Sequence, residues 1–189
     1  MTRALELACD HGGTLIEPAK DRDADPTPND ATRQWRSSFF RAPYVRDELA
    51  RLGLISETFE TAVTWDRFDA LVDRITATTE DVLRHVGAWP AVVTRRLTHL
   101  YPDGAAPYFT VLAPGHATGR LAQWREVKDA VIDVLEASGA TVTHHHAVGR
   151  DHRRGYDLER PPLFAAQLRA AKRVVDPAGL LNPGVLIDP

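Results

Sequence analysis

The sequence predicts an α+β fold: a ferredoxin-like antiparallel sheet with helices on one face, and terminal helices at both ends of the chain. Two stretches, 66–86 and 117–137, have apolar residues at the i, i+3, i+4, i+7 spacing of amphipathic helices. Segments of β-prone residues alternate with them in the order strand, helix, strand, strand, helix, strand. The 189 residues suffice for one sizeable core and are few for two independent domains.

The N-terminal part of the chain predicts short helices joined by loops. Residues 3–11 are expected to form a helix that ends at a glycine pair, and residues 18–30, rich in proline and aspartate, a loop. Residues 33–40 are predicted to be helical or irregular. Residues 44–52 are predicted to form a second short helix, because Gly53 supplies a stop signal.

The central part predicts a helix between strands. Residues 54–63 are β-prone, and the helix over 66–86 would follow them directly. Residues 91–100 predict the next strand, since proline precedes them. The residue types at 101–104 predict a turn, and residues 108–112 would form the returning strand of a hairpin with a longish loop.

The C-terminal part predicts a helix, a strand and a last helix. The helix over 117–137 would bury one apolar side, and a β-prone approach then leads into a strand that ends in histidines at 144–146. Proline is tolerated in the first turn of a helix, so Pro161 and Pro162 mark the start of the last one. It would end before Asp176, which precedes another proline.

Composition and charge exclude several classes of protein. A formal net charge of −3 and a pI near 6.2 give no electrostatic basis for binding nucleic acid or an anionic membrane. The single cysteine, Cys9, excludes an internal disulfide framework and a thiolate metal cage. No apolar run approaches the ~18 residues that a membrane span requires, and no signal peptide or peroxisomal tripeptide is recognisable. We therefore expect a cytoplasmic protein, and its alanine and arginine content favours a bacterial source.

Three adjacent histidines, His144, His145 and His146, are the most informative motif. Successive side chains of a strand point to opposite faces, so His144 and His146 are predicted to share one face and His145 the other. Imidazoles donate, accept or shuttle protons near neutral pH, which favours a functional role. The alternative is an exposed polar strand end.

A metal site is a competing interpretation of the same run. His144 and His146 would supply only two ligands from a strand, and His152, Asp151 or Glu159 would have to complete the set. No histidine pair has the helical spacing that would support such a site. We therefore predict that no metal is bound.

Three sequence blocks together resemble one known family. They are APYVRD at residues 42–47, HHHAVGRDH at residues 144–152 and DPAGLLNPG at residues 176–184. The last block is similar to the C-terminal signature of FAD-linked oxidases of the vanillyl-alcohol-oxidase type. The other two resemble one branch, the alkyldihydroxyacetonephosphate (alkylglycerone-phosphate) synthases. The resemblance extends from about Trp35 to Ile187, and it implies the α+β fold predicted above.

The resemblance implies an incomplete flavoenzyme. Residues 1–34 would be a helix and loop lead-in, and residues 35–189 the FAD-linked oxidase C-terminal, or substrate-side cap, domain. The family binds its cofactor, FAD, mostly through an N-terminal domain with a glycine-rich loop, which this chain lacks: Gly12 and Gly13 are an isolated pair. An FAD-binding domain supplied elsewhere is therefore an expected partner. The oligomeric state is left open, a homodimer included.

The implied reaction belongs to ether-lipid synthesis. The acyl chain of acyl-dihydroxyacetone phosphate would be exchanged for a fatty alcohol, through a covalent adduct at the flavin N5 and without net redox. Two alternatives stay open, because one fold hosts many chemistries. One is an FAD-linked oxidase or dehydrogenase of a hydroxy acid, and the other is a flavin-free binding module.

The resemblance also assigns roles to individual residues. Tyr108 matches the tyrosine that the synthases use as catalytic acid/base, and Arg46 matches the arginine implied to hold the substrate phosphate. His145 and His146 match histidines near the flavin and the acyl substrate, where they would orient the substrate and pass protons. The ordinary alternatives are a half-buried strand aromatic for Tyr108 and a surface charge for Arg46.

Two further residues are predicted to bind the cofactor. His144 belongs to the histidine run, and Asn182 lies in the tail that the family curls back towards the flavin. A plain turn that caps the last helix is an equally good interpretation of Asn182. Trp65 and Asp66 also fit the family pattern, and we expect them to serve packing.

Overall fold

The computed structural model describes residues 2–14 and 31–188, and the chain divides into two compact units between Tyr44 and Val45. The first unit contains helix α1 (Thr2–Asp10), which confirms the helix predicted over 3–11. Helix α2 (Ala31–Arg51) begins in the first unit and ends in the second. The prediction of separate helices over 33–40 and 44–52 is wrong, because no glycine interrupts the helical backbone before Gly53. The loop predicted over 18–30 lies outside the described residues.

A four-stranded antiparallel sheet forms the centre of the second unit among the described residues. Its strands are β1 (Leu54–Glu60), β2 (Val63–Thr64), β3 (Val92–Leu100) and β4 (Gly104–Pro114). Strands β1 and β2 pair with successive parts of β4, and β3 pairs with the same residues of β4 from the other side. The single strand predicted over 54–63 is therefore two strands with a break between them.

The hairpin of β3 and β4 is tighter than predicted. The backbone N–H of Tyr101 donates to the carbonyl of Gly104 at 2.8 Å, so the predicted turn over 101–104 is confirmed. Strand β4 begins directly at Gly104, where a side chain would meet the backbone of Val63. The returning strand is thus longer than the predicted 108–112. A register shift between Leu97 and His99 bends β3 close to the turn.

Helices α3 (Trp65–His85) and α4 (Arg120–Ala137) confirm the two predicted amphipathic helices. Their apolar sides and one face of the sheet form the core, in which Phe59 of β1 stacks on Phe109 of β4 at 5.0 Å. Burying each large apolar side chain contributes about 1.5–3 kcal/mol. The helix-side core contains Leu71, Val72, Ile75, Leu83, Val127, Val131 and Leu135.

The fourth strand of the predicted ferredoxin-like order does not form. The chain after α4 does lie beside the sheet, since the N–H of Thr141 donates to Ala62 O at 3.4 Å. The next N–H, of Val142, donates instead to the Glu159 carboxylate at 3.1 Å, and Ala147 adopts a positive φ of 60°. A ladder cannot continue through such a backbone, so the predicted strand is wrong. The α+β class, a mixed helical and antiparallel-sheet architecture, is confirmed.

Two helices follow the histidine run. Helix α5 (Arg153–Glu159) was not predicted; its Gly155 packs so closely on Val142 that an added Cβ would lie 2.5 Å from Val142 Cγ1. Helix α6 (Pro162–Val175) confirms the last predicted helix, including the proline in its first turn. Together they place the C-terminal tail against the segment that carries the histidines.

Candidate functional site

Two groups of polar side chains surround two buried glutamates of β1. Glu57 and Glu60 are three positions apart, so the alternation of a strand sends them to opposite faces of the sheet. We name the groups by these residues. The Glu57 cluster consists of Arg46, Glu57, Trp124, Lys128, His146 and His152. The Glu60 cluster consists of Glu60, Thr98, His99, Tyr101, His144 and His145.

The histidine run connects the two clusters, but not with the predicted alternation. His144 and His145 both turn to Glu60, and His146 turns to Tyr108 and to His152. The prediction that His144 and His146 share a face is therefore wrong, because the run is not a strand. One short segment thereby contributes imidazoles to both sites.

Glu60 is the buried centre of its cluster, with only 1% of its surface exposed. The Thr98 hydroxyl donates to Oε1, and the Nδ1 atom of His145 contacts Oε2. His99 Nδ1 lies 3.8 Å from Oε1, and His144 Nδ1 lies 3.5 Å from Oε2. A buried carboxylate is stable only where hydrogen bonds or positive charge compensate its desolvation, and here imidazoles and a hydroxyl supply them.

Tyr101 extends the Glu60 cluster towards the surface. Its hydroxyl shares a 2.9 Å hydrogen bond with His144 Nε2, and its exposed fraction is 42%. His99 packs against both rings, at centroid distances of 6.3 Å from Tyr101 and 4.8 Å from His144. The cluster therefore runs from a buried carboxylate to an accessible phenol.

A divalent cation has one conceivable set of ligands in this cluster. Glu60, His99, His144 and His145 each offer a ligand atom, and these atoms lie within 4.8 Å of one another. The set considered from the sequence, which paired His144 with His146, is not brought together. Glu159, which was to complete it, accepts a hydrogen bond from the Val142 backbone instead. The absence of a metal stays a prediction.

In the Glu57 cluster, a lysine, an arginine and an indole N–H surround the carboxylate. Lys128 Nζ donates to Glu57 Oε1 at 2.7 Å and to His152 Nε2 at 3.1 Å, although α4 exposes only 6% of this lysine. The Trp124 indole N–H donates to Glu57 Oε2, and Arg46 lies 3.6 Å from the same oxygen. Both carboxylate oxygens are thereby occupied.

A cavity of about 250 Å³ opens beside this cluster. Its lining is polar: Arg46, Glu57, Thr58, Lys128, His146, Asp151 and His152. A lysine has three N–H donors, and Lys128 uses two of them on Glu57 and His152. Lys128 thus retains one N–H donor, and the guanidinium of Arg46 is half exposed where it lines the same cavity.

Both histidines of the cavity favour their neutral forms. Burial lowers the pKa of His152 to about 4, and the positive charge of Lys128 adds to this effect. Burial, and next the charge of His145, lower the pKa of His146. At neutral pH His152 Nε2 therefore carries a lone pair that accepts from Lys128.

Tyr108 lies in β4, between Glu60 of β1 and Arg96 of β3. The ring of His146 meets it edge-on at a centroid distance of 5.2 Å. The Arg96 guanidinium lies over the Tyr108 ring, 4.4 Å from its centroid. The structure thus brings together Tyr108 and His146, and it places His146 and Arg46 on one cavity.

Asn182 lies in the exposed tail after α6. Its φ is 46°, and its carbonyl accepts from the Val185 N–H at 3.3 Å, as expected for a turn. Arg150 donates to the carbonyl of Pro183 at 3.2 Å, which ties the tail to the end of the histidine run. The contact of Asn182 with a cofactor stays a prediction.

Sequence reasoning missed seven residues of the two clusters: Glu57, Glu60, Thr98, His99, Tyr101, Trp124 and Lys128. Glu57 and Glu60 interrupt a β-prone segment with charges, and Lys128 follows Trp124 by four positions on the apolar side of α4. Charges at such positions are a signal for buried pairs. His99 and Tyr101 gave no comparable signal, because their roles depend on residues distant in the chain.

The chain matches the family model described as FAD linked oxidases, C-terminal domain, over residues 4–186. Curated relatives include alkyldihydroxyacetonephosphate synthase of Caenorhabditis elegans, 30% identical over 152 residues, which cover 79% of this chain and 25% of that protein. The Dictyostelium discoideum enzyme of the same name is 25% identical over 155 residues, covering 82% of this chain and 25% of the enzyme. The chain thus spans about a quarter of the length of these relatives.

A solved structure shares the fold. It is an alkyldihydroxyacetonephosphate synthase with a TM-score of 0.57 and 22% identity, covering 80% of this chain and 24% of that one. The named relatives are eukaryotic, which contradicts the bacterial source predicted from composition; alanine and arginine content does not separate the two origins. Among the described residues no helix is both long and apolar enough to cross a membrane.

Proposed function

The chain belongs to the family of FAD linked oxidases, C-terminal domain, and from this premise we propose that it is the substrate-side domain of an alkylglycerone-phosphate-synthase-like enzyme. Such an enzyme exchanges the acyl group of acyl-dihydroxyacetone phosphate for a fatty alcohol. The observation that carries the proposal is the position of His146, which contacts Tyr108 and also lines the cavity of Arg46 and Lys128. The imidazole of His146 would then lie between the residue that transfers protons, Tyr108, and the cavity that binds the anionic part of the substrate.

The cavity of the Glu57 cluster would hold the substrate phosphate. Arg46 has guanidinium N–H groups that suit phosphate oxygens, and Lys128 adds a second cation with a free donor. Glu57 competes little for the ligand, because Lys128 and Trp124 already occupy its two oxygens. The neutral state of His152 leaves Lys128 as the charged member of that pair.

Tyr108 would protonate the leaving carboxylate. A phenol can do so where positive charge stabilises the phenolate, and the guanidinium of Arg96 lies over this ring. His146 would take up the proton that the incoming alcohol loses, because burial and the charge of His145 lower its pKa and so leave a free lone pair on the neutral ring. His145, half exposed beside them, would orient the substrate.

FAD, when bound, would supply the isoalloxazine ring at which the acyl group is exchanged. His145 and Asn182, which are both exposed, are the side chains that would contact it. This donor set fits hydrogen bonding to the polar edge of a flavin. Both nitrogens of His144 point into the Glu60 cluster, so its proposed contribution to cofactor binding would be indirect.

A labelled-alcohol exchange assay tests this function. The chain, combined with an FAD-binding domain and FAD, is expected to incorporate a labelled fatty alcohol into acyl-dihydroxyacetone phosphate. Tyr108→Phe should lower kcat by about 10²–10⁴-fold, the usual contribution of a general acid, and leave Tm nearly unchanged. Tyr156→Phe is the matched control, because Tyr156 also lies against an arginine but in α5, outside both clusters.

Two results would contradict the proposal. Exchange that persists in Tyr108→Phe would remove the acid/base role. Bleaching of the flavin by a 2-hydroxy acid, without any alcohol exchange, would assign the chain to an oxidase or dehydrogenase instead.

A further inference from the structure

We propose that Tyr101, His144 and Glu60 form a second proton-transfer site, in which His144 serves as base for the Tyr101 hydroxyl and Glu60 supports His144. The atoms lie in series: the phenol oxygen is 2.9 Å from His144 Nε2, and His144 Nδ1 is 3.5 Å from Glu60 Oε2. A carboxylate, an imidazole and a hydroxyl in this order form the arrangement that activates hydroxyl nucleophiles in general. The site differs from Tyr108 and does not rest on the proposed function.

The direction of the Tyr101 hydrogen bond follows from electrostatics. Two lone pairs facing each other repel, so His144 Nδ1 carries a proton where it faces the Glu60 carboxylate. A neutral imidazole then has its lone pair on Nε2, which accepts the proton of the Tyr101 hydroxyl. His144 Nδ1 is buried without a hydrogen bond of good geometry, and a proton on it would be directed at Glu60 Oε2, which His145 Nδ1 also contacts.

The groups that face the site from each neighbouring element are consistent with this assignment. Thr98 donates to the other oxygen of Glu60, which leaves Oε2 for the histidines. His145 contacts Oε2 beside His144, and His99 approaches Oε1 at 3.8 Å. No lysine or arginine pairs with Glu60 among the described residues, so its negative charge is available to stabilise an imidazolium.

Exposure increases along the series, which places the reactive end at the surface. Glu60 is 1% exposed, the His144 side chain 20% and Tyr101 42%. Tyr108 differs, because no hydrogen bond to its hydroxyl is formed by the described residues. Tyr101 therefore has a base within reach of its hydroxyl, while Tyr108 has a cation over its ring.

The proposed reaction is acylation of the Tyr101 hydroxyl, and it needs no cofactor. An acyl donor approaches the Tyr101 oxygen, the O–H bond breaks and its proton moves to His144 Nε2. A bond forms between the phenol oxygen and the acyl carbon, and the bond to the leaving group breaks. The imidazolium returns the proton to that leaving group.

N-acetylimidazole, a small acyl donor that modifies tyrosines, tests the site on the 189-residue chain itself. Peptide mass spectrometry would follow the acetylation rate of each tyrosine. Tyr44 is the internal reference, since it is 72% exposed and Tyr101 only 42%. We expect Tyr101 to react at least about tenfold faster than Tyr44, because a positioned base contributes 10²–10⁴-fold in enzymes.

Variants separate base catalysis from simple access. His144→Gln should reduce the Tyr101 rate to or below that of Tyr44, and Glu60→Gln should reduce it partway. His85→Gln is the matched control, because His85 is an exposed histidine that pairs with Glu126 outside the cluster, and it should change nothing. Circular dichroism checks that each variant is folded, and His144→Gln decides the question even where Glu60→Gln does not fold.

Two outcomes would overturn the proposal. One is that Tyr101 is acetylated more slowly than Tyr44 in the wild-type chain. The two rates would then follow the exposed fractions of the side chains, and no base would be needed to explain them. The other is a fast Tyr101 whose rate His144→Gln does not change. Neither outcome affects the proposed acyl exchange, which depends on Tyr108 and FAD.

Discussion

Glu57 and Glu60 are buried on the same strand, yet the side chains around them differ in kind. Glu57 is matched by permanent cations, Lys128 and Arg46, together with an indole N–H. Glu60 is matched by imidazoles and a hydroxyl, with no lysine or arginine among the described partners. Lysine and arginine carry permanent positive charge, whereas imidazoles can in general gain or lose a proton near neutral pH. In the functions proposed above, the side chains around Glu57 would hold an anionic ligand and those around Glu60 would transfer protons.

A small sheet can keep two buried carboxylates with different partners apart. An odd spacing along a strand separates side chains to opposite faces, so two carboxylates close in sequence avoid each other. The histidine run then bridges both faces, with His144 and His145 on Glu60 and His146 on the cavity. Each task can be broken separately by a substitution in its own cluster.

The largest expected loss of unfolding free energy follows from breaking the buried ion pair between Lys128 and Glu57. Lys128→Met leaves Glu57 buried without its main partner, and removing one partner of a buried pair costs about 3–5 kcal/mol of unfolding free energy. Urea denaturation measures the loss. His144→Gln should cost less, about 1–3 kcal/mol, because Thr98, His99 and His145 still contact Glu60 when His144 is removed.

Two further variants test whether the unpaired charge of Glu57 causes the loss of stability in Lys128→Met. Adding Glu57→Gln to Lys128→Met should restore most of the stability, since the uncompensated charge is then gone. Arg154→Met is the control, because Arg154 pairs with Asp133 at the surface, where such pairs contribute about 0–1 kcal/mol. A loss in Lys128→Met no larger than in Arg154→Met would show that Glu57 needs no fixed cation.

The next effect is a pH dependence of stability from His152. Its pKa is about 4 in the folded chain, below the ordinary value of 6.5, because of burial and the charge of Lys128. Between these values the unfolded chain binds a proton there and the folded chain does not, so stability falls as the pH drops from 6.5 to 4. The loss would amount to up to about 3 kcal/mol, and it does not grow further below pH 4.

His152→Gln isolates this contribution. A glutamine can still accept from Lys128 through its carbonyl oxygen, but it does not titrate. Chemical denaturation of both chains across the acid range should give a smaller slope of stability against pH for the variant. Identical slopes would mean that His152 is as easily protonated in the folded chain as in the unfolded one.

Local patterns predicted the two core helices and the last helix well, because helical periodicity depends on neighbours in sequence. The helix predicted over 66–86 is α3 (Trp65–His85), and the strand predicted over 91–100 is β3 (Val92–Leu100). The fourth strand failed because distant groups decide it: the Glu159 carboxylate takes the Val142 N–H that a ladder would use. Nothing in the β-prone approach to the histidines reveals that competitor.

Residues of the candidate site could be predicted only where the local sequence or the family resemblance singled them out. Three adjacent imidazoles pointed to His145 and His146, and the family resemblance pointed to Tyr108; the structure brings these residues close together. Glu60 and Tyr101 gain their interest only from tertiary contacts with His144. The sequence around Tyr101 does not indicate that His144 lies beside its hydroxyl, because the two residues are distant in the chain.

The smallest expected effect concerns the exposed end of the Glu57 cluster. Arg46 is half exposed and lies 3.6 Å from Glu57, so solvent and salt weaken its attraction for a ligand. Arg46→Ala should raise KM for the phosphorylated substrate by about tenfold, and far less for a phosphate-free analogue, since only the former uses the guanidinium. Arg51→Ala, in the same helix and paired with Glu48, is the matched control. An equal rise in KM for both substrates would contradict a phosphate contact, and Arg46 would then serve only as an ion-pair partner of Glu57. Lys128 would remain as the one cation of the Glu57 cluster proposed to bind the ligand.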